Sequence, residues 1–201
     1  MVATGNSSAT NKNPETNSRF PKLIVVDLDY TIWPFWCDTH ISGSIKPTYT
    51  GEDKVVDSRG DKYGLYKDIP KIFVEIRDSP HMSLCSASRT ANPRMAQTLL
   101  TMLKVEDKSC TTYFSHTAWG TGSKVRHLQE LHLHTGVDYS DMLFFDDEIR
   151  NQDVERALGV CFYEVSAGLT YDAFQSGIEL WRRSRITAAV KPTPEEPRPV
   201  V

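Results

Sequence analysis

The run Leu23-Ile24-Val25-Val26, followed at once by Asp27-Leu28-Asp29-Tyr30-Thr31, constrains this chain more than any other segment. Its apolar residues are mostly β-branched and too few for a helix, so they read as a central strand covered on both faces. The strand ends in two carboxylates one residue apart, which pack poorly in a core but lie where open parallel sheets hold their ligands. Two acids this close repel unless a cation lies between them or one is protonated. Downstream the pattern alternates strand and helix. Strands are predicted at 23–27, 81–87, 112–114, 142–145 and 160–165. Helices are predicted from Asp68 (as cap, with Pro70 in the first turn) and over 93–103, 124–134, 154–158 and 171–185, with Gly159 ending the fourth. Residues 33–66, with their glycines, prolines and aromatics, read as irregular. The alternation predicts an α/β fold, a Rossmann-like parallel sheet with helices on both faces.

The chain has 201 residues, enough for one domain with a proper core. Residues 1–20, rich in Ser, Thr and Asn, are expected to be a disordered tail, residues 21–186 the domain, and the Pro-rich residues 187–201 a second disordered tail. A net charge of −3 gives no electrostatic case for nucleic acid. No apolar stretch approaches the ~20 residues of a membrane span, and the polar N-terminus lacks the apolar segment of a secretory signal. A monomeric intracellular protein is expected, cytoplasmic and with access to the nucleus. Cys37, Cys85, Cys110 and Cys161 have neither metal-ligand nor redox-motif spacing and read as reduced, mostly buried thiols.

Four polar clusters each follow a predicted strand or open a predicted helix: Asp27/Asp29/Thr31, Ser88-Arg89-Thr90, Gly122-Ser123-Lys124 and Asp146-Asp147-Glu148. In a parallel sheet their strand ends face one crevice. Ser88 can donate a hydroxyl hydrogen bond to a phosphate oxygen. Lys124, a cation at a helix start, can neutralise phosphoryl oxygens and keep a nucleophile ionised. Asp27, Asp146 and Asp147 are the hard oxygen donors that Mg²⁺ prefers. Phosphoryl transfer needs in-line positioning and charge neutralisation, and these groups supply both.

The segments DLDYTIWPFW, CSASRT, GSK and FFDDEIRN resemble the four motifs of the haloacid dehalogenase phosphohydrolases. More narrowly, over roughly residues 22–165, they resemble the small magnesium-dependent phosphatases, a eukaryotic group also classed as acid phosphatases. The resemblance implies a capless fold with a short flap at about 36–66, Mg²⁺ as cofactor and phosphate monoesters as substrates. It makes Asp27 the nucleophile that forms an aspartyl-phosphate, and Asp29 the acid and then base, with its backbone carbonyl on the metal. Thr31 would orient the loop at the substrate, Ser88 and Lys124 would hold the phosphoryl group, and Arg89 would reach the substrate. Asp147 would be the side-chain metal ligand, with Asp146 the alternative or a supporting group. Of the flap aromatics, Trp36 and Tyr49 are expected to wall the substrate, whereas Trp33 and Phe35 pack the loop base or join that wall. The implied substrates are aryl or phosphotyrosine-like esters and sugar phosphates, carried by a small molecule or a phosphoprotein. The rival readings are a protein phosphatase acting on phosphorylated polypeptide segments and a phosphate-binding scaffold without catalysis.

Other features have plainer readings. Thr90 is a candidate cap for the helix starting near Pro93. Cys85, inside an apolar strand and with only three residues between it and the next arginine, is expected to be inert. His127, His132 and His134 read as decoration of one helix, and the cations at 182–185 as a favoured helix C-terminus. Glu148 is not counted as a ligand, and Arg150 with Asn151 reads as a brace for the acidic loop.

Overall fold

The computed structural model describes residues 19–48 and 53–190. The first strand, β1 (Leu23–Val26), is followed by three short strands, β2 (Lys46–Pro47), β3 (Lys54–Val56) and β4 (Lys62–Gly64), then α1 (Ile69–Asp78) and β5 (Ser83–Ser88). Next come α2 (Pro93–Met102), the hairpin strands β6 (Lys104–Val105) and β7 (Lys108–Ser109), a 3₁₀ turn at Cys110–Tyr113, and β8 (Phe114–Trp119). The chain continues through α3 (Lys124–Thr135), β9 (Met142–Asp146), α4 (Asp153–Leu158), β10 (Cys161–Glu164) and α5 (Tyr171–Val190).

Five strands form one sheet in the order β10-β9-β1-β5-β8, with every pairing parallel. β1 lies at the centre, and the chain first adds strands to one side of it and then returns to build the other. That reversal opens a crevice at the carboxyl end of β1. Register fixes what meets there: Val26 pairs with Ser86 on one side and Phe145 on the other. Asp27, the end of β5 and Asp146 are therefore brought together by the pairing itself.

Alternation along the strands divides the core. Ile24, Val26, Leu143 and Phe145 face a layer built by α1, α2 and α5, through residues such as Ile72, Phe73, Leu99, Phe174 and Trp181. Leu23, Val25, Met142 and Phe144 face the other way, onto Leu128 and Leu131 of α3 and Val154 of α4. α5 lies close on the sheet at Gly177, where a Cβ would come within 2.5 Å of the Phe145 ring.

Several boundaries differ from the sequence reading. The stretch 33–66 is not irregular throughout: β2, β3 and β4 make a small antiparallel sheet. The buried Asp57 carboxylate stitches it, accepting from the backbone N–H groups of Ser42 (2.9 Å), Arg59 (2.8 Å) and Asp61 (3.0 Å). Residues 112–114 are not a strand on their own, because 3₁₀ structure runs to Tyr113 and the edge strand follows it. Asp68 precedes α1 without a side-chain cap and instead accepts from Tyr171 N (3.0 Å) at the start of α5. Asn92, not Thr90, caps α2 by accepting from Met95 N. α5 continues to Val190, past the predicted end at 185 and into the segment expected to be a tail. The tail predicted at the N-terminus falls almost wholly outside the described residues, as does Tyr49. Among the described residues, no helix is long and apolar enough to cross a membrane.

Candidate active site

The carboxyl ends of β1, β5 and β9 and the first turn of α3 surround a pocket of about 140 Å³. Asp27, Asp29, Ser88, Arg89, Lys124, Asp147 and Trp36 line it, all of them singled out in the sequence. Thr31 and Asp146, also singled out, stand behind it. Thr31 is fully buried and does not reach the pocket wall, so it is not placed to bind substrate directly; its hydroxyl lies 3.5 Å from Asp147 Oδ1. Asp146 is 0% exposed.

Lys124 organises the floor. Ser123 caps α3 by accepting from Arg126 N, which places the next residue at the helix start with its side chain turned inward. Lys124 is only 2% exposed. Its ammonium donates to Asp27 Oδ1 (2.5 Å) and to the carbonyl of Ala87 (2.5 Å), and lies 2.8 Å from Asp146 Oδ2. Burial opposes its charge, yet the two carboxylates prevail and hold the lysine more firmly protonated than usual. Asp146 is fixed from its other side: Oδ1 accepts from Glu148 N (2.8 Å) and from Asn151 Nδ2 (2.9 Å). Asn151 thus braces the acidic loop, as expected, whereas Arg150 is exposed and pairs with Glu148 at 2.6 Å.

The three carboxylates Asp27, Asp146 and Asp147 each offer an oxygen, and these oxygens lie within 4.8 Å of one another. Burial pushes the Asp27 carboxyl up to about 7 against the pull of Lys124, with Asp146 adding to the rise. Burial and then Asp146 push Asp147 up to about 6. Three hard oxygen donors, crowded and charged at a cost, fit a divalent cation such as Mg²⁺, which would offset that cost.

Asp29 lines the same pocket. Its Oδ1 accepts from the indole Nε1 of Trp33 (2.6 Å) and from Cys37 N (3.1 Å). Burial raises its pKa, and these hydrogen bonds only partly offset the rise. The intervening Tyr30 adopts φ 54°, a left-handed conformation rare for a side-chain-bearing residue, and this turns the loop back on itself. Trp33 and Phe35 are buried and stacked with ring centres 5.5 Å apart, so they pack the loop base. Trp36 is 50% exposed at the mouth, edge-on to Tyr30.

Several groups have a place at the site that the sequence reading did not assign them. Thr90 lines the pocket and donates its N–H to Ser88 Oγ (3.3 Å). Asp38 and the Glu148–Arg150 pair complete the rim. His127 is no surface decoration: it is 5% exposed, and its Nδ1 has no hydrogen-bond partner among the described residues. Burial, with Lys124, Arg89 and Arg126 nearby, pushes its pKa down to about 4. His132 and His134 instead bond the carbonyls of Val137 (2.7 Å) and Glu130 (2.8 Å). Cys85 is buried with its thiol pushed up to about 11, as an inert cysteine should be.

Comparison with known proteins agrees with this geometry. The sequence profile of the Acid Phosphatase family matches residues 19–184. A HAD-like hydrolase superfamily protein of Schizosaccharomyces pombe is 42% identical over 152 residues, covering 74% of this chain and 87% of the relative. Magnesium-dependent phosphatase 1 of Homo sapiens is 35% identical over 169 residues, covering 84% and 91% respectively. Among solved structures, the phosphatase domain in the N-terminal part of a Bacteroides fragilis protein, complexed with Mg, superposes with a TM-score of 0.52 at 14% identity. That superposition covers 81% of this chain and 40% of the other and supports the fold. The chain belongs to the Acid Phosphatase family, within the magnesium-dependent phosphatases of the haloacid dehalogenase superfamily, and is a phosphoric monoester hydrolase.

Proposed function

We propose that the chain hydrolyses phosphate monoesters through a phosphoryl group carried on Asp27, with Asp29 as the acid and base. The observation that carries this reading is the buried Lys124 ammonium, 2.5 Å from Asp27 Oδ1, at the floor of a pocket that Asp29 and Ser88 also line. A carboxylate oxygen of Asp27 attacks phosphorus as the ester P–O bond breaks, and Asp29 gives its proton to the departing oxygen. Water then attacks the acyl phosphate, Asp29 takes its proton, and inorganic phosphate leaves with Asp27 restored. Lys124 keeps Asp27 ionised for attack and, with Ser88, neutralises and orients the phosphoryl oxygens, while Arg89 reaches the rest of the substrate.

Mg²⁺ would be held by Asp27, Asp147 and the backbone carbonyl of Asp29, and it supplies charge neutralisation to the transferring phosphoryl group. Asp147 is the better direct ligand, because both oxygens of Asp146 are engaged by Lys124, Glu148 N and Asn151. Thr31 steadies Asp147 from behind.

The pocket opens to solvent beside Trp36, so the leaving group extends from the phosphoryl site along that ring. This suits aryl esters, phosphotyrosine-like groups among them, or sugar phosphates. An exposed Trp36 at an open mouth also suits a phosphorylated polypeptide, the second reading. The intact set of Asp27, Asp29, Ser88, Lys124 and Asp147 argues against a scaffold without catalysis. We further infer one catalytic domain that begins near residue 21 and ends with α5, acting as a cytoplasmic monomer without nucleic acid.

The test is phosphate release from p-nitrophenyl phosphate with Mg²⁺ or chelator, beside Asp27→Asn. Metal-dependent turnover that vanishes in the variant is expected. Turnover that survives in Asp27→Asn rules out the covalent route.

A further inference from the structure

Trp33 is 0% exposed and does not line the pocket, yet its indole N–H reaches Asp29 Oδ1 at 2.6 Å. Packing alone does not explain the choice of residue. The ring stacks on Phe35 with planes 7° apart, a role another aromatic could fill. A buried indole N–H requires an acceptor, and the one it takes belongs to a carboxylate that lines the pocket. A second donor, Cys37 N–H, reaches the same oxygen at 3.1 Å. An oxygen that already accepts from two N–H groups is poorly placed to bear a proton or to accept a further donor from the substrate side. The Cys37 thiol also interacts with this carboxyl, and among the described residues Oδ2 accepts from no N–H donor, which leaves it for that work.

We propose that Trp33 is the positioning residue for the acid/base Asp29: its indole N–H, with Cys37 N–H, clamps Oδ1 and so presents Oδ2 to the leaving-group oxygen. The proposal rests on the assignment of Asp29 as acid and base. Trp33 touches no substrate. It acts by fixing the carboxyl rotation, and small errors of placement at a reacting centre are expensive.

The leaving group gives a readout that a merely structural role does not move. Expulsion of 2,4-dinitrophenolate needs little protonation, whereas expulsion of phenolate needs a well-placed acid. kcat/KM reports steps up to departure of the leaving group, so it isolates this contribution from the later hydrolysis. In the Mg²⁺-loaded protein, Trp33→Phe is expected to lower kcat/KM for phenyl phosphate by about tenfold and for 2,4-dinitrophenyl phosphate by less than about twofold. Equal losses on both esters, or none, overturn the proposal. Because Phe leaves a void, 3-benzothienylalanine at position 33 provides a second test. It keeps the bicyclic shape and replaces only the N–H by sulfur, and it must reproduce the same selective loss. Asp29→Asn separates the two levels of the argument. A selective loss there without one at Trp33 overturns the clamp alone, while no selective loss in Asp29→Asn removes the acid assignment itself.

Discussion

Lys124→Met, an apolar replacement of similar length, tests the electrostatic design of the site. The ammonium is fully enclosed and faces Asp27 Oδ1 at 2.5 Å, Asp146 Oδ2 at 2.8 Å and the Ala87 carbonyl at 2.5 Å. Removing one partner of a buried ion pair leaves uncompensated charge and costs about 3–5 kcal/mol. Here two carboxylates are stranded, and they already repel one another within the acidic cluster. A loss of about 4 kcal/mol with a urea slope of about 2 kcal/mol/M moves the unfolding midpoint down by about 2 M. The assay is urea unfolding followed by circular dichroism at pH 8 in chelator, so that no dication substitutes for the lysine. Asp146→Asn in the Lys124→Met background removes one stranded charge and keeps the acceptor for Asn151, so it should recover part of the loss. A cycle over the four proteins then gives a coupling of the same sign. Lys124→Met within about 1 kcal/mol of the unsubstituted protein, with no recovery in the double variant, would refute the reasoning: the lysine would be a passenger in the pocket and not its counter-charge.

Three further outcomes are expected. Mg²⁺ must displace protons from Asp27 and Asp147, whose carboxyls sit near about 7 and about 6; calorimetric affinity should fall at least about tenfold from pH 8 to pH 5 with proton release on binding, and a flat profile contradicts the cluster as the metal site. His127, depressed from 6.5 to about 4, binds its proton in the unfolded chain first; its contribution is complete above pH 6.5 and is lost as pH falls toward 4, by at most about 3 kcal/mol, so His127→Gln should lose less stability than the parent between pH 7 and 4.5 in urea unfolding, and parallel curves would count against it. At Tyr30, with φ 54°, Gly should be more stable than Ala by about 1 kcal/mol, a reversal of the ordinary order outside the left-handed region, and Ala equal to Gly in thermal unfolding would show that no strain is held there.

How far the sequence could be read depended on how each element carries its signal. β1 and β9 were legible because both faces are buried, which leaves an unbroken apolar run ending in acids. β8 was not, because Phe114–Trp119 is an edge strand with an exposed, polar middle that lacks both an apolar run and clean alternation. The flap strands are two or three residues long, too short for any period, and are held by the Asp57 carboxylate together with the single buried Val55. His127 carried a signal that went unused: residues 124, 127, 128 and 131 share the buried face of α3, which places the histidine beside Lys124. The Trp33–Asp29 hydrogen bond follows from the left-handed turn at Tyr30, and no pattern of residue types announces it.

The same few contacts explain how an uncapped site can be organised before substrate arrives. Asp29 and the loop that carries Ser88 are both tied to one short segment of the flap base. Cys37 gives its N–H to Asp29 Oδ1, and its Sγ lies 3.3 Å from Thr90 Oγ1, whose own N–H holds Ser88 Oγ. The next residue, Asp38, accepts from Ala91 N at 3.1 Å, which pins the flap to the end of the same phosphate loop. A shift of residues 37–38 would therefore move Asp29, the proposed acid, and the Ser88 loop together and preserve their spacing. With the floor fixed in this way, discrimination among substrates falls to the rim, where Trp36, Asp38 and Arg89 face whatever the phosphate is attached to. Substitutions at the rim should then change which ester is preferred, whereas those at the floor should change the rate for all of them.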